Sequence, residues 1–221
     1  MLDGLASSTP RRGFIGRMAA AAMGFGAASL AVPEHASAAP AARSANPQLE
    51  AWFGKLKGKH RVVFDATAPN EGMPAVWPRI YLNTMAATYP GEEASAMVIL
   101  RHHGLALALS DAIWAKYPIG EMFDIKSGNA PATANPFATI TGLPIPGLGV
   151  VELLKSGVLF GACDVALTVY SSGAAAKMNM DAAAVKKEWV AGLFPGIQVV
   201  PSGVFGVARA QEFEARYIFA G

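Results

Sequence analysis

The sequence predicts an α/β fold in which a mostly parallel sheet carries helices on both faces. Five short apolar runs are rich in β-branched and aromatic residues, which is typical of strands that are buried on both faces. Segments with helical spacing lie between these runs, and such alternation indicates right-handed crossovers between parallel strands. The predicted strands are residues 60–66, 96–100, 157–162, 197–200 and 216–219.

The first half of the predicted domain contains two of the strands. Residues 39–58 are predicted as a linker followed by a short amphipathic helix. The first strand ends in a turn-rich loop, after which apolar residues recur at helical spacing over 77–88. That helix stops at Pro90-Gly91, which combines both common helix breakers. The second strand leads into a further predicted helix at 105–116.

A segment unlike its surroundings follows at 117–147, where five prolines and four glycines interrupt any periodicity. Structureless segments of this length are uncommon in compact domains and usually form lids, binding loops or oligomer contacts. The segment contains Asn129 and Asn135-Pro136-Phe137, and Trp114 lies just before it. These residues are predicted either to close over the sheet edge or to reach a neighbouring subunit. Low charge and proline rigidity favour the second.

The remaining part of the domain continues the alternation. A short helix at 148–156 precedes the third strand, which a longer helix follows. Asp181 is a good N-cap for the next helix, 182–193. The fourth strand turns at 201–203 into the last helix, and the terminal strand follows. Residues 59–221 are thus predicted to form one domain with one large core.

The first 38 residues resemble a twin-arginine export signal. Arg11 and Arg12 precede a Phe-Ile pair, and a weakly apolar run follows over 18–32. Ala36-Ser37-Ala38 supplies the small residues that signal peptidase recognises, so cleavage is expected after residue 38. The apolar run is too short and too rich in alanine and glycine for a membrane anchor. We therefore expect a periplasmic protein with no stable membrane anchor after signal cleavage.

Composition bears on the partners of the exported chain. The full chain carries a net charge of +2, and removal of residues 1–38 takes away three arginines and two acidic residues, which leaves about +1. No basic surface for nucleic acid is implied. Only 15% of the residues are charged, against roughly 25% in ordinary soluble domains. Part of the apolar surface is therefore expected to lie in a subunit interface, which predicts a homo-oligomer.

Cys163, the single cysteine, follows the third predicted strand and precedes a helix-forming stretch. Ligands bind at such strand ends in open α/β sheets, and a helix N-terminus favours a thiolate over a thiol. The adjacent carboxylate of Asp164 opposes this effect. With one cysteine no internal disulfide forms, which leaves a buried inert thiol, a protected reactive thiol or an intermolecular bond. Cys163 is the predicted catalytic residue, with a small buried apolar side chain as the alternative.

The candidate partners of Cys163 lie at the ends of the other strands. His102 and His103 follow the second strand, and one imidazole there would serve as a proton acceptor for the thiol. Arg101 would bind an anion such as thiosulfate or sulfite. Thr67 and Ser202 end the first and fourth strands, where a hydroxyl either binds a ligand or caps the following turn or helix.

The sequence lacks the motifs that are typical of several function classes. The sequence contains no Gly-x-Gly-x-x-Gly, Walker or paired metal-ligand motif, and Ser171-Ser172-Gly173 lacks the nucleophile elbow of serine hydrolases. We therefore predict no cofactor and no defined metal site.

Three segments together resemble the DsrE-like sulfur-relay family. They are the opening strand and loop at 60–67, the block 157–163 that ends in Phe-Gly-Ala-Cys, and the Pro-Gly-strand-Pro-Ser-Gly ending at 193–204. The resemblance implies a three-layer α/β/α fold with a five-stranded parallel sheet, assembled as a trimer or hexamer. Some members of the family accept sulfur as a cysteine persulfide within a relay, and their reactive cysteine corresponds to Cys163.

The residues and the resemblance together predict binding or transfer of sulfane sulfur on Cys163. A protein that donates or accepts sulfur would then be a partner. Two alternatives stay open: a non-catalytic oligomeric binding module of the same fold, and a periplasmic metal-binding protein.

Overall fold

A computed structural model of the chain describes residues 46–221. The predicted signal peptide and the first part of the predicted linker lie outside the described residues. The fold is α/β, as the sequence predicts, with a parallel sheet between two layers of helices. The strands in chain order are β1 (His60–Ala66), β2 (Ala94–Leu100), β3 (Lys126–Ser127), β4 (Ala130–Pro131), β5 (Leu159–Cys163), β6 (Gln198–Val200) and β7 (Arg216–Phe219). The α-helices are α1 (Pro47–Phe53), α2 (Trp77–Thr88), α3 (Asp111–Lys116), α4 (Ile119–Met122), α5 (Val150–Lys155), α6 (Asp164–Met178), α7 (Ala182–Ala191) and α8 (Gly203–Glu212).

Five strands form one sheet in the order β6-β5-β2-β1-β7, and each neighbouring pair is parallel. The strands β3 and β4 form a separate antiparallel hairpin. Because the sheet strands are parallel, their carboxyl ends meet at one edge. Ala66, Leu100, Cys163 and Val200 all end strands at that edge.

Each face of the sheet is covered by its own set of helices. On one face, α1 and α8 pack over Val63, Met97 and Ile99. On the other face, α6 and α7 pack over Val62, Phe64 and other residues of the opposite parity, with α2 partly covering them. This division follows from the two-residue period of a strand, which places neighbouring side chains on opposite faces. No helix within residues 46–221 is long and apolar enough to cross a membrane.

The prediction of a single helix at 105–116 is wrong. The structure has a 3₁₀ helix at His102–Ala108, an extended stretch at Leu109 and Ser110, and then α3. Residues 105–109 are fully buried, so this run has no polar face to present to solvent as a surface helix does. Leu109 instead forms a β-bridge with Leu193, and the Ser110 amide donates to the Gly192 carbonyl.

The segment 117–147 packs into the domain rather than standing apart from it. It contains α4 and the β3–β4 hairpin, and Tyr117, Ile119, Phe123 and Phe137 are buried in the core. Trp114 is also buried, with its indole N–H donating to the Ala106 carbonyl. The predicted arm toward a neighbouring subunit therefore does not describe these side chains, because their own domain covers them.

Asn135 holds this segment against the neighbouring 3₁₀ run. Its side-chain amide nitrogen lies 2.7 Å from the Leu109 carbonyl and 3.2 Å from the Leu107 carbonyl, and its Oδ1 accepts from the Phe137 amide at 2.9 Å. The Asn135 backbone amide donates to the Asp111 carboxylate. By contrast, Asn129 is exposed at the hairpin turn. Hydrogen bonds from one buried amide thus replace regular secondary structure here.

Candidate functional site

A pocket of about 300 Å³ opens at the carboxyl edge of the sheet. The polar and sulfur-bearing residues on its walls are Arg101, His102, Cys163, Tyr170 and Ser202. Val165, Val169 and Val204 supply exposed apolar walls. Two helices begin here, since α6 follows Cys163 and α8 follows Ser202. The pocket therefore joins a thiol, a guanidinium, an imidazole and two helix N-termini.

Cys163 is the last residue of β5 and the N-cap of α6. Its Sγ accepts a hydrogen bond from the Ala166 amide at 3.3 Å, and the residue is only 5% exposed. The Asp164 carboxylate forms an ion pair with Lys186. The sequence placed this thiol at a strand-to-helix junction, and the structure puts it on the wall of the pocket.

Ser202 caps α8, with its Oγ accepting from the Phe205 amide at 3.2 Å. The next residue, Gly203, lies against the side chain of Arg101. A Cβ at position 203 would come within 2.4 Å of the Arg101 Cβ, which is closer than packed carbon atoms approach. The glycine thus lets α8 begin beside Arg101, so that both line the same pocket.

Arg101 is held from behind by Asp65, a buried carboxylate that ends up beside it because β1 and β2 are neighbours. The Nε and Nη2 groups of Arg101 donate to the two oxygens of Asp65 at 2.7 and 2.9 Å. Tyr217 of β7 donates its hydroxyl to the same carboxylate at 3.0 Å. The Asp65 carboxylate raises the pKa of Arg101, and the nearby Cys163 acts weakly in the same direction. Arg101 therefore stays charged at all physiological pH values.

His102 is paired with Tyr170, which also lines the pocket. The Tyr170 hydroxyl and the His102 Nδ1 are 2.5 Å apart. Burial raises the pKa of Tyr170, which keeps its hydroxyl protonated. The His102 backbone has a φ of 49°, in the left-handed region that non-glycine residues adopt rarely. Such strained conformations cluster at functional sites.

His103 stacks on His102 with ring centroids 4.2 Å apart, and it also contacts Phe123 and Tyr170. Desolvation by burial, and to a lesser extent the neighbouring His102, lower the pKa of His103. His103 does not line the pocket. The two histidines lie in a 3₁₀ helix with their rings stacked, and of the two only His102 lines the pocket.

Thr67 lies outside the pocket. Its hydroxyl donates to the carbonyl of Gly221, which also accepts from the Thr67 and Ala68 amides. Of the six residues predicted from sequence, the structure thus brings Cys163, His102, Arg101 and Ser202 together, and it leaves Thr67 and His103 off the pocket wall. Within residues 46–221, no group of three or more histidine, cysteine or acidic side chains is arranged to hold a metal ion.

Comparison with known proteins adds little to this geometry. No protein-family model matches the chain, and no curated protein matches it. One solved structure that resembles it is a protein of unknown function from Methanobacterium thermoautotrophicum. The two share 20% sequence identity over 73% of this chain and 99% of that chain, with a TM-score of 0.38.

Sequence reasoning missed three residues of the site: Asp65, Tyr170 and Tyr217. Asp65 carried a usable signal, because it is the one acidic residue of the strand and follows three apolar residues, Val62, Val63 and Phe64, and a buried charge requires a partner. Tyr170 and Tyr217 carried none, since each reaches its partner only through the packing of distant elements. Their partners lie 68 and 152 residues away along the chain.

Proposed function

We propose that this protein is an exported, DsrE-like, homo-oligomeric carrier that accepts sulfane sulfur on Cys163 as a persulfide. One observation carries the proposal: the only thiol of the chain lies on the wall of a pocket that also presents Arg101, His102 and the N-termini of α6 and α8. Positive helix ends and a guanidinium favour a thiolate and a bound anion. The export signal and the trimeric or hexameric assembly are parts of the proposal that rest on the sequence.

The chemistry is thiol exchange with a persulfide or polysulfide donor. The Cys163 thiolate attacks the terminal sulfur of the donor R–S–SH, the new sulfur–sulfur bond forms, and the old one breaks. The product is the Cys163 persulfide, and the thiolate RS⁻ leaves with the electron pair. Transfer to an acceptor thiolate reverses these steps, so no oxidant or reductant is consumed.

In this scheme His102 handles the proton of the Cys163 thiol. An imidazole on the wall of the same pocket accepts that proton before attack and returns it to the leaving thiolate. The step uses the tautomer in which the His102 Nδ1–H donates to the Tyr170 hydroxyl oxygen, because Nε2 is then unprotonated and accepts the thiol proton. Tyr170 is thus a positioning residue.

The test is the intact mass of the protein after incubation with polysulfide. The expected result is a gain of one sulfur atom, absent in Cys163→Ser and reversed by a reducing thiol. Because the chain has a single cysteine, any added sulfur on a thiol reports on Cys163 alone. No gain in mass, together with no alkylation of the folded protein by iodoacetamide, would refute the proposal.

One observation favours a second function, a binding module that does not use its thiol. Cys163 is 5% exposed and caps α6 through its Sγ, which is a structural role. In that case Cys163→Ser would retain both the assembly and the ligand affinity of the wild type, and the wild-type thiol would resist alkylation until the protein unfolds.

A further inference from the structure

Some hydrogen-bond donors of the Arg101 side chain have no acceptor among the described residues, 46–221. A guanidinium carries five N–H groups, and Asp65 accepts from two of them. The other three have no protein acceptor among residues 46–221. Arg101 lines the pocket, and its side chain is 29% exposed. The Arg101 guanidinium is therefore fixed by the buried carboxylate of Asp65 and has its remaining donors beside an open cavity.

The charge of the pocket wall has one sign. Among the wall residues that fall within 46–221, Arg101 is the only arginine or lysine, and there is no aspartate or glutamate. Asp65 lies behind Arg101 and is not part of the wall. The first-turn N–H groups of α6 and α8 add partial positive charge at the same place. The complement of this wall is an anion.

We propose that the sulfur donor of this site is a sulfur oxyanion of the thiosulfate or organic thiosulfonate class, with its oxygens on Arg101 and its outer sulfur toward Cys163. This inference rests on the proposed function and names its substrate class. A guanidinium fork matches the oxygens of such an anion better than an ammonium does. The valine walls and a volume of about 300 Å³ leave room for the apolar substituent of a thiosulfonate.

The reaction balances without a further reagent. The Cys163 thiolate attacks the outer sulfur of thiosulfate, and the bond between the two sulfur atoms of thiosulfate breaks. The products are the Cys163 persulfide anion and sulfite, which takes the electron pair. Arg101 stabilises the charge that gathers on the departing sulfite oxygens, as donors fixed in advance of the reaction do.

Three neighbouring strands hold Arg101 in place for this role. Tyr217 of β7 donates to Asp65 of β1, and Asp65 fixes Arg101 at the end of β2. The strands lie side by side in the order β7-β1-β2. Asp65 and Tyr217 are therefore positioning residues that orient the guanidinium before any ligand arrives.

The experiment is calorimetric titration of thiosulfate into the full chain carrying Cys163→Ser, which binds but does not react. The informative variant adds Arg101→Gln and Asp65→Asn together. This pair removes one positive and one negative charge, so the net charge is unchanged and no buried carboxylate is left unpaired. We expect the thiosulfate affinity to fall about tenfold or more, because charge-assisted hydrogen bonds are lost.

Arg79→Gln is the matched control, because Arg79 is also partly buried but only donates to the Gly147 carbonyl, away from the pocket. Its thiosulfate affinity should equal that of the Cys163→Ser parent. Unchanged affinity in the Arg101–Asp65 pair, or no binding to the parent, overturns the inference.

The two proposals fail separately. If polysulfide loads the wild type while thiosulfate does not bind, the sulfur-carrier function survives and the oxyanion inference falls. If thiosulfate binds through Arg101 but no sulfur is gained on Cys163, the oxyanion site survives and the carrier function falls.

Discussion

Asn135 in the segment 117–147 and Arg101 in the pocket are both polar side chains next to the core. They differ in how many of their hydrogen-bonding groups have a partner within residues 46–221. The Asn135 amide meets buried carbonyls and its oxygen accepts from the Phe137 amide. Arg101 gives two N–H groups to Asp65, and its other three, beside a cavity, have no acceptor in the part of the chain from residue 46 onward. The Asn135 side chain thus serves the fold alone, whereas the remaining Arg101 donors are the ones that the proposed anion would use.

The composition of the chain draws attention to the segment 117–147 rather than to the residues of the pocket. The segment 117–147 stands out in the sequence, and it is anchored to its own domain by a few buried side chains, including Tyr117, Ile119, Phe123 and Asn135. The pocket residues are scattered through unremarkable strand ends, and yet they line one pocket.

Replacing Asn135 with alanine should destabilise the protein by about 3 kcal/mol, because buried backbone groups lose their partners. Urea unfolding followed by tryptophan fluorescence measures the change. Asn129→Ala, at the exposed hairpin turn, should change stability by less than about 0.5 kcal/mol. Equal effects of the two substitutions would mean that the segment is a loose loop after all.

Gly203→Ala should affect the pocket more than its small size suggests. The new Cβ lies 2.4 Å from the Arg101 Cβ, so Arg101 or the start of α8 must move, at a cost of about 1–3 kcal/mol. Thiosulfate binding to the Cys163→Ser background should weaken as well.

The matched control for Gly203 is Gly173→Ala in α6, where nothing lies within 4 Å of the added Cβ. Alanine favours a helix over glycine, so this variant should be more stable than the wild type by about 0.5–1 kcal/mol. Denaturation midpoints of the two variants should therefore shift in opposite directions.

Tyr170→Phe should lower stability by about 1 kcal/mol or less, because it removes one hydrogen bond and keeps the ring. Its effect should appear instead in the rate of sulfur loading on Cys163 and in the ¹⁵N chemical shifts of the His102 ring. Tyr81→Phe, whose ring packs on Phe64 away from the pocket, should alter neither. If sulfur loads onto Cys163 of the Tyr170→Phe variant as fast as onto the wild type, Tyr170 has no role in the proposed reaction.

The smallest expected effect is a pH dependence from His103. Its pKa is lowered in the folded state by burial and by His102, so the unfolded chain binds the proton more readily. Stability from this group is therefore present above the ordinary histidine pKa of about 6.5 and is lost as pH falls through that value toward the lowered folded pKa. His103→Gln should flatten the change in urea midpoint between pH 7.5 and 5.5, and an unchanged slope would assign it to other groups.

The sequence was a good guide wherever one local pattern determines the structure. The bounds of β1 and β7 match the predicted strands residue for residue, and Ser202 and Asp181 cap α8 and α7. It failed where the structure depends on distant contacts. The run 105–109 has no periodicity to separate a helix from a 3₁₀ turn, and its conformation depends on Leu193 and Asn135.

The site shows the same division. The strand ends placed Cys163, His102, Arg101 and Ser202 at one edge, because parallel strands share an edge. Which strands are neighbours is not readable from their order along the chain. The contact between Asp65, Arg101 and Tyr217 depends on that neighbourhood, since β7 pairs with β1 rather than with β6.

The place of β7 beside β1 also sets when the site is made during synthesis. β7 lies downstream of every other strand of the sheet, and it supplies the Tyr217 hydroxyl to Asp65. A nascent chain that has released β1 to β6 from the ribosome still has an open edge on β1, which is prone to wrong pairing. Arg101 then lacks its fully oriented partner. The hydrogen-bonded chain from Tyr217 through Asp65 to Arg101 is therefore completed only after β7 has emerged.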